Sequence, residues 1–260
     1  MEGFSFSTYS LYIRDIINHK SIKMKKILLL SAIVFSTSIF AQRLNRANEI
    51  SVDGPNRGAV LELMDDFYGT VKYNEGSGVV IQWIRMGIDE STHRVINYGD
   101  ANNFGVLDGE RKEYQGPAFW SRLSRHVSYN RASASVNIEV LSPNNQNHNF
   151  SQNWDLKIKD PEKYLNAFRT LVTELKNEIG QRRIAFGAHT INGYGGATHY
   201  ITLGGSSWQE IEITRAKIQQ TNAWATFLKN RGDVEYIRNY LVQNIRHYNN
   251  ARIEEGRTLK

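Results

Sequence analysis

The sequence predicts an α+β fold made of two tandem β-α-β-β-α-β units. The first observation is the stretch over 154–205, where a strand, a helix, a second strand, a Gly-rich turn and a third strand follow one another. The second is a weaker copy of the same order earlier in the chain. The third is spacing, because 37 residues separate Pro55 from Thr92 and 37 separate Pro161 from Thr198. We therefore predict a duplicated α+β unit.

The clearest element signals lie at the start of the second unit. Residues 154–159 alternate between apolar and polar, which is the period-2 pattern of a strand with one buried face. Asp160 supplies a helix N-cap, and Pro161 occupies the first helical position, where its missing N–H costs nothing. A helix ending near Gly180 is predicted from an apolar stripe at helical spacing, formed by Tyr164, Leu165, Phe168, Leu171, Val172, Leu175 and Ile179.

The returning hairpin of this unit contains the Gly-rich turn. The segments 184–188 and 199–203 alternate as strands, and the connection between them holds residues that tolerate positive φ. A five-residue connection over 193–197 predicts that Ile191 pairs with His199 and that His189 pairs with Ile201. Both imidazoles then lie on one face of the sheet. A one-residue change of register would place them on opposite faces.

The order β-α-β-β is most of a ferredoxin-like unit and lacks only its second helix and last strand. In the first unit, 42–142, the predicted elements are a strand around Ile50, a helix over 60–72, strands over 79–87 and 92–98, an insertion at 99–117, a helix over 118–127 and a strand over 133–141. The remaining segments are a polar linker at 143–153, the second unit at 154–250 and a charged tail at 251–260. Within the second unit, a helical region over 208–231 has a break near Thr221, and the segment 234–248 fits either helix or strand.

The N-terminal residues have the pattern of a signal peptide. Lys25 and Lys26 precede a short apolar run at 27–40, and Ala41 offers a cleavage point before Gln42. The run has 14 residues, fewer than the roughly 20 that span a membrane comfortably. A buried helix and a retained membrane anchor remain alternatives, and export to the periplasm or the extracellular space is favoured.

If the protein is exported, we expect Met24 to be the true start, residues 1–23 to be an upstream extension and residues 24–41 to be the signal peptide. The chain contains no cysteine, which excludes disulfide scaffolds, thiolate catalysis and zinc–thiolate sites. Residues 1–41 hold five Lys or Arg and two Asp or Glu, so the rest of the chain carries +3 rather than +6. No cluster of basic residues suggests nucleic-acid binding, and no membrane span is expected in the mature chain.

Two such units on one chain resemble a fused version of the dimeric α+β barrel superfamily. The strand at 154–160, the helix start DPEKYLNAF and the Gly-rich hairpin carry the resemblance. In that superfamily two ferredoxin-like units pair their sheets, and helices cover the outside. It includes antibiotic-biosynthesis-type monooxygenases, haem-degrading oxygenases, chlorite dismutases, muconolactone isomerases and stress-responsive barrel proteins. The resemblance implies an intrachain barrel, a monomer with pseudo-dimeric halves, but no activity, because fold alone does not confer function.

The first candidate site residues are His189 and His199, which the predicted register places as neighbours inside a barrel. His93 is the counterpart of His199 in the first unit. The alternative is that these histidines are structural and form hydrogen bonds in the core or at its rim. A metal site would need further ligands, and no HxH or HExxH pattern supplies them. No metal or cofactor is therefore predicted.

Three further residues are weaker candidates for binding a ligand. Trp83 and Arg85 share one strand face and could line the barrel interior, with Arg85 facing an anionic group or forming a structural ion pair. Tyr194 lies between two glycines and could cover a pocket mouth. The chain has no Walker loop, no GxGxxG after a strand and no GxSxG elbow.

These observations favour an exported, non-catalytic protein that binds a small hydrophobic ligand or a partner. The alternative is a cofactor-light enzyme, monooxygenase- or isomerase-like, that acts on a small hydrophobic molecule inside the barrel, and its catalytic residues are unassigned. Polar groups converging on one interior cavity would favour the enzyme. An interior filled by Phe, Trp and Leu would favour the binding role.

The signal-peptide pattern predicts that the mature protein begins at Gln42. Intact-mass measurement of the protein recovered from the periplasm or the medium checks this, because cleavage after Ala41 removes a defined mass. A recovered species that begins at Met1 or Met24 would contradict the prediction.

Overall fold

The computed structural model describes residues 43–88, 90–141 and 148–251. Within them the strands are β1 (Arg43–Val52), β2 (Gly78–Met86), β3 (His93–Asp100), β4 (Val127–Val140), β5 (Phe150–Ile158), β6 (Ile184–Ile191), β7 (His199–Gly205) and β8 (Val234–Tyr248). The helices are α1 (Arg57–Tyr68), α2 (Gln115–Leu123), α3 (Pro161–Glu174), α4 (Lys176–Ile179), α5 (Trp208–Gln219) and α6 (Asn222–Asn230). The predicted extension and signal peptide, and residues 252–260 of the predicted tail, lie outside the described residues.

The eight strands form one closed antiparallel barrel in the order β1-β3-β2-β8-β5-β7-β6-β4. Strands β1–β4 make the first half-barrel and strands β5–β8 the second, each with its strands in the order fourth, first, third, second. The halves join where β2 pairs with β8 and where β4 pairs with β6. The edge strands of each half therefore pair their backbone groups with those of the other half. This is the topology expected of two ferredoxin-like units paired in one chain.

The two halves correspond at the residues that directly precede their third strands, β3 and β7. Thr92 Oγ1 accepts a hydrogen bond from the backbone N–H of Val52 at 2.8 Å, and Thr198 Oγ1 accepts one from Ile158 at 3.0 Å. Each threonine also contacts Nδ1 of the histidine that follows it, at 2.8 Å in both halves. The equal spacing noticed in the sequence thus coincides with two equivalent hydrogen-bonded corners.

Every strand presents one face to the helices and the other to the barrel lumen. Along β1, Ile50 and Val52 pack outward into a core with α1 and α2, while Ala47 and Glu49 point inward. The second half has its own outer core, formed between its sheet and helices α3–α6. Period-2 alternation is what separates the two faces.

Most predicted elements are confirmed, with shifted ends. The break in the long helical region is confirmed, because Thr221 is the N-cap of α6 and accepts a hydrogen bond from Trp224. The segment 234–248 is a strand. β5 begins at Phe150, inside the predicted linker, and β4 begins at Val127 rather than 133. No helix in the described part of the chain is long and apolar enough to cross a membrane.

The predicted register of the β6–β7 hairpin is wrong. His199 pairs with Ala188, not with Ile191, and Phe186 pairs with Ile201. β6 pairs with β7 only over 184–188, while its other edge pairs with β4 as far as Ile191, which lies opposite Ala134. The connection is longer than five residues, and the odd shift sends the two imidazoles to opposite faces.

The burial of His93 predicts that acid destabilises the fold. Burial, with a smaller contribution from the charge of Arg57, lowers the pKa of His93 to about 4. The unfolded chain takes up this proton below about pH 6.5, whereas the folded protein resists it, so the stabilisation is complete above that pH and is lost as the pH falls toward 4. We expect this residue to contribute about 2 kcal/mol to the difference in unfolding free energy between pH 7.5 and pH 5.0.

Urea denaturation of the wild type and of His93→Asn at both pH values measures this contribution. Asparagine does not titrate but can still bond to Thr92, so the variant should lose less stability on acidification. An equal loss in both proteins would show that His93 is not the group responsible.

Candidate functional site

Two cavities in the described part of the chain lie on opposite faces of the sheet. The first lies outside the barrel, between the second half-sheet and helices α3–α6, and is lined by mainly apolar side chains. The second is the barrel lumen, and its lining is mainly polar. The two spaces are separated by the thickness of the sheet, so each offers its own chemistry.

The outer pocket has a volume of about 260 Å³. β5, β6, β7 and β8 supply its floor, and the four helices supply its walls. The strands place apolar residues there because every second side chain of a half-buried strand faces the helices. The apolar residues that line it are Trp154, Tyr164, Phe168, Leu171, Val172, Ile179, Ile184, Ile201, Leu203, Ile218, Trp224, Phe227 and Tyr236.

Polar groups in this pocket are few. Arg215 and Gln219, one turn apart on α5, are its polar lining residues apart from two tyrosines. Arg215 forms an ion pair with Glu212 on the same helix. Its Nε is buried and has no hydrogen-bond partner among the described residues. The pocket is therefore apolar, with Arg215 and Gln219 as its polar edge.

In the first half-barrel, aromatic rings fill the corresponding space. The rings of Phe67 and Phe119 stack at 3.8 Å, and Tyr68 meets Phe119 edge-on at 5.6 Å. Tyr68 also packs against Tyr248, and both are almost completely buried. The two halves share a topology but differ in their outer cores, and the pocket described above belongs to the second half.

The barrel lumen has a volume of about 270 Å³. Eight-stranded barrels have an interior that side chains just fill or that holds one small ligand. Arg43, Arg94 and Arg183 are among its lining residues, together with several Asn, Ser and His side chains. The lumen is therefore polar, whereas a hydrophobic ligand would require an apolar interior.

A cluster of buried charges connects the two half-barrels within the lumen. Arg238 of β8 donates to Asp155 of its own half at 2.6 Å and to Glu49 of the other half at 2.7 Å. Asp155 also accepts a hydrogen bond from His189 Nε2 at 3.0 Å. Arg94 lies 3.6 Å from Glu49. One guanidinium thus bridges two carboxylates that lie on opposite halves of the barrel.

The charges in this cluster stabilise one another against burial. Burial alone would raise the pKa of Glu49, but the hydrogen bond from Arg238 and the nearby guanidinium of Arg94 hold it below its usual value. Asp155 behaves in the same way, with His189 and Arg238 as the groups that lower its pKa. Both carboxylates are therefore ionised at neutral pH.

The structure brings two of the predicted site residues together at this cluster. His189 faces the lumen and bonds to Asp155. Tyr194 lies in the turn beside it, where its ring is 4.4 Å from the guanidinium carbon of Arg238 and 5.4 Å from that of Arg131. Tyr194 thus covers charged side chains by a cation–π contact.

The other predicted site residues lie outside the lumen. His199 is buried in the outer core, stacked on Phe186 at 5.3 Å, and burial lowers its pKa. His93 occupies the equivalent position in the first half. The prediction that Trp83 and Arg85 line the interior is wrong, because Trp83 pairs with the outward-facing His93 and contacts Arg57 at 5.0 Å.

Arg85 stacks on Trp83 at 4.1 Å and is exposed. The two residues do share one strand face, as predicted, but that face is the outer one. Ligand binding by any of the six predicted residues stays a prediction.

The sequence reasoning missed the charged residues of the cluster. Asp155 alternates with apolar residues and so lies on the polar face of β5, yet in a closed barrel that face is the lumen. A signal was present, because Glu49 and Asp155 are separated by 106 residues, as are Pro55 and Pro161. Arg131 and Arg238 stand in register with these acids across β4 and β8. Among the described residues, no group of three or more His, Asp or Glu is arranged to hold a metal ion.

The cluster predicts a large loss of stability on replacing Arg238 by methionine. Removing one partner of a buried ion pair leaves uncompensated charges, which costs about 3–5 kcal/mol. The matched control is Arg169→Met, because Arg169 pairs with Glu139 at the surface, where such pairs contribute roughly 0–1 kcal/mol. Urea denaturation of both variants measures the difference, and equal losses would contradict the assignment.

No family model and no curated protein matches this sequence. Solved structures do resemble it. A putative monooxygenase from Lactobacillus acidophilus NCFM superposes with a TM-score of 0.52 at 10% identity, over 80% of this chain and 96% of its own. An anthrone oxidase-like protein gives 0.52 at 13% identity, over 80% and 93%. A putative monooxygenase from Fusobacterium nucleatum subsp. nucleatum gives 0.52 at 11%, over 81% and 96%. At these identities the likeness concerns the fold alone, which is a ferredoxin-like α+β barrel.

Proposed function

We propose that this protein binds a small aromatic molecule in the outer pocket of its second half-barrel. The observation that carries the proposal is the pocket itself, an apolar space of about 260 Å³ between one half-sheet and its helices. Ligand sites are typically concave, mostly apolar and furnished with a few polar groups that orient the ligand. The aromatic filling of the first half-barrel supports the assignment to the second.

The size of the pocket indicates the class of ligand. An engineered apolar cavity of about 150 Å³ in another protein stays dry and accepts benzene. A space of about 260 Å³ is therefore suited to a molecule with two fused rings rather than one. The rings of Trp154, Phe168 and Phe227 offer faces and edges for aromatic contacts.

The polar edge of the pocket indicates one further property of the ligand. The Nε of Arg215 is a buried donor without a partner in the described structure. A hydroxyl, carbonyl or carboxylate oxygen on the ligand would satisfy it, and Gln219 lies within the same lining. The ligand we propose is thus a compact aromatic molecule with one oxygen-bearing substituent.

A second candidate function is oxidation of such a molecule, and the observation that favours it is the resemblance to proteins described as putative monooxygenases and anthrone oxidase-like. Of the described residues that line the pocket, none is a histidine or a carboxylate. Proton transfer is the task of such groups in most enzymes. We therefore place binding first and oxidation second.

Binding of 1-naphthol tests the first function directly. Two of the five tryptophans, Trp154 and Trp224, line the pocket, so a bound ring system should change the intrinsic fluorescence. Ile201→Trp fills the pocket from its floor and should weaken the affinity at least tenfold. The control is Ile213→Trp, which adds the same ring at an exposed position of α5 and should bind as the wild type does.

Isothermal titration calorimetry measures both variants and the wild type. No binding by the wild type, or equal binding by the two variants, would reject the pocket as the site. Oxygen uptake with anthrone as substrate tests the second function. Consumption above the rate without protein, lost in Ile201→Trp and kept in Ile213→Trp, would make the protein an enzyme rather than a binding protein.

A further inference from the structure

The barrel lumen is lined by a surplus of positive charge. Its described lining contains three arginines, Arg43, Arg94 and Arg183, and one carboxylate, Asp155. Asp155 is already engaged by Arg238 and His189. Lining charge of one sign within low-dielectric walls concentrates the potential inside a cavity. The lumen is therefore an electrostatically positive space.

The three arginines differ in the groups that their side chains contact. Arg94 lies beside Glu49 at 3.6 Å and donates to Gln82 at 3.4 Å. Arg43 is exposed, donates to the carbonyl of Gly76 and stacks on Tyr98. Arg183 has no hydrogen bond or ion pair from its side chain to any described residue, and its Nε is buried. The uncompensated charge in the lumen is thus that of Arg183.

The backbone places Arg183 in the lumen, opposite a glycine of β7. Arg183 directly precedes β6, where alternation sends it inward with Ala185. Its carbonyl accepts from the N–H of Gly204 on β7 at 2.8 Å, and a Cβ on Gly204 would lie 3.4 Å from Arg183 Cβ. In the first half-barrel the equivalent pair is Gly78 with Tyr98. Each half thus sets one large polar side chain against a glycine.

A second donor without a partner lies in the same cavity. Asn137 of β4 accepts a hydrogen bond from the hydroxyl of Tyr200 at 2.6 Å through its Oδ1. Its Nδ2 is buried and has no partner among the described residues. Buried donors are almost always paired in native proteins, so several such groups in one cavity, with Arg94 Nε also among them, point to an acceptor that a ligand supplies. Water would satisfy the amide but would not neutralise the guanidinium.

We propose that the lumen binds a small oxyanion, a carboxylate or phosphate group on a compact polar molecule, with Arg183 as its charged partner and Asn137 as a second donor. A guanidinium presents two parallel N–H groups that match such an anion, and charge-assisted bonds of this kind are the strong ones. Arg43 at the exposed end adds attraction for the incoming anion. This site is independent of the outer pocket, because it lies on the other face of the sheet and takes a ligand of opposite character.

The burial of Arg183 is consistent with its role as the charged partner of an anion. It lowers the pKa of Arg183, and the like charge of Arg43 acts in the same direction. Both effects mean that the folded protein without a ligand maintains this cation at a cost. Replacing it by an apolar side chain of similar length should therefore leave the ligand-free protein as stable as before, or more stable, in contrast to the loss expected for Arg238→Met.

The experiment compares succinate and inorganic phosphate, with succinamide as the neutral analogue and sodium chloride at matched ionic strength. Thermal denaturation and isothermal titration calorimetry are measured on the wild type, Arg183→Met, Arg183→Lys and Arg169→Met. We expect at least one anion to raise the melting temperature of the wild type above the chloride control, whereas succinamide does not. Whichever of the two anions binds more tightly identifies the group as carboxylate or phosphate.

Arg183→Met should weaken anion binding at least tenfold, with no fall in melting temperature in the absence of anion. Arg183→Lys, which keeps the charge but loses the planar pair of donors, should bind with intermediate affinity, and Arg169→Met should bind as the wild type does. The proposal is overturned if neither anion binds the wild type or if Arg183→Met binds equally well. It is also overturned if Arg183→Met melts at a clearly lower temperature without anion, because Arg183 would then serve folding. Neither anion should displace 1-naphthol, which keeps this result separate from that for the outer pocket.

Discussion

Mutual edge pairing is the constraint on which the rest of this structure depends. Each half-barrel taken alone would end in two strands with unpaired backbone groups, which is a hazard that proteins avoid. Pairing of β2 with β8 and of β4 with β6 removes all four edges at once. Because closure leaves every strand with an inner and an outer face, it also creates the two separate environments in which the cavities lie.

The inner face shows how a barrel of this size tolerates charge. Glu49 comes from the first half and Asp155 from the second, and Arg238 bonds to both. Such a bridge adds little net stability compared with an apolar filling, since desolvation is costly. It does demand one relative placement of the two halves, because any shift leaves a carboxylate without its partner. The cluster thus specifies how the halves meet, while the apolar outer cores supply most of the stabilisation through burial.

The outer faces of the two halves differ in how they are packed. In the first, Phe67 and Phe119 stack in direct contact and fill the core. In the second, the helical region is divided at Thr221 into α5 and α6, and the space between these helices and the sheet stays open to Arg215. A half whose core is filled can maintain the fold, and the other half can then give up packing density for a ligand. We infer that this division of roles underlies the proposed function.

The sequence by itself determined the α+β class and the order of the elements up to the segment 234–248, because these follow from local periodicity and capping. Asp160 with Pro161 and the apolar stripe after them were sufficient to predict α3. Only the tertiary structure decided what each face of a strand packs against. Asp155 lies on an apparently polar face that closure turns into the lumen. His189 and His199 lie on opposite faces because the β6–β7 connection is longer than the five residues predicted, which shifts the register by an odd number. Alternation along a strand separates its two faces, but whether a face meets helices, solvent or the opposite wall of a barrel depends on strands that are distant in the chain.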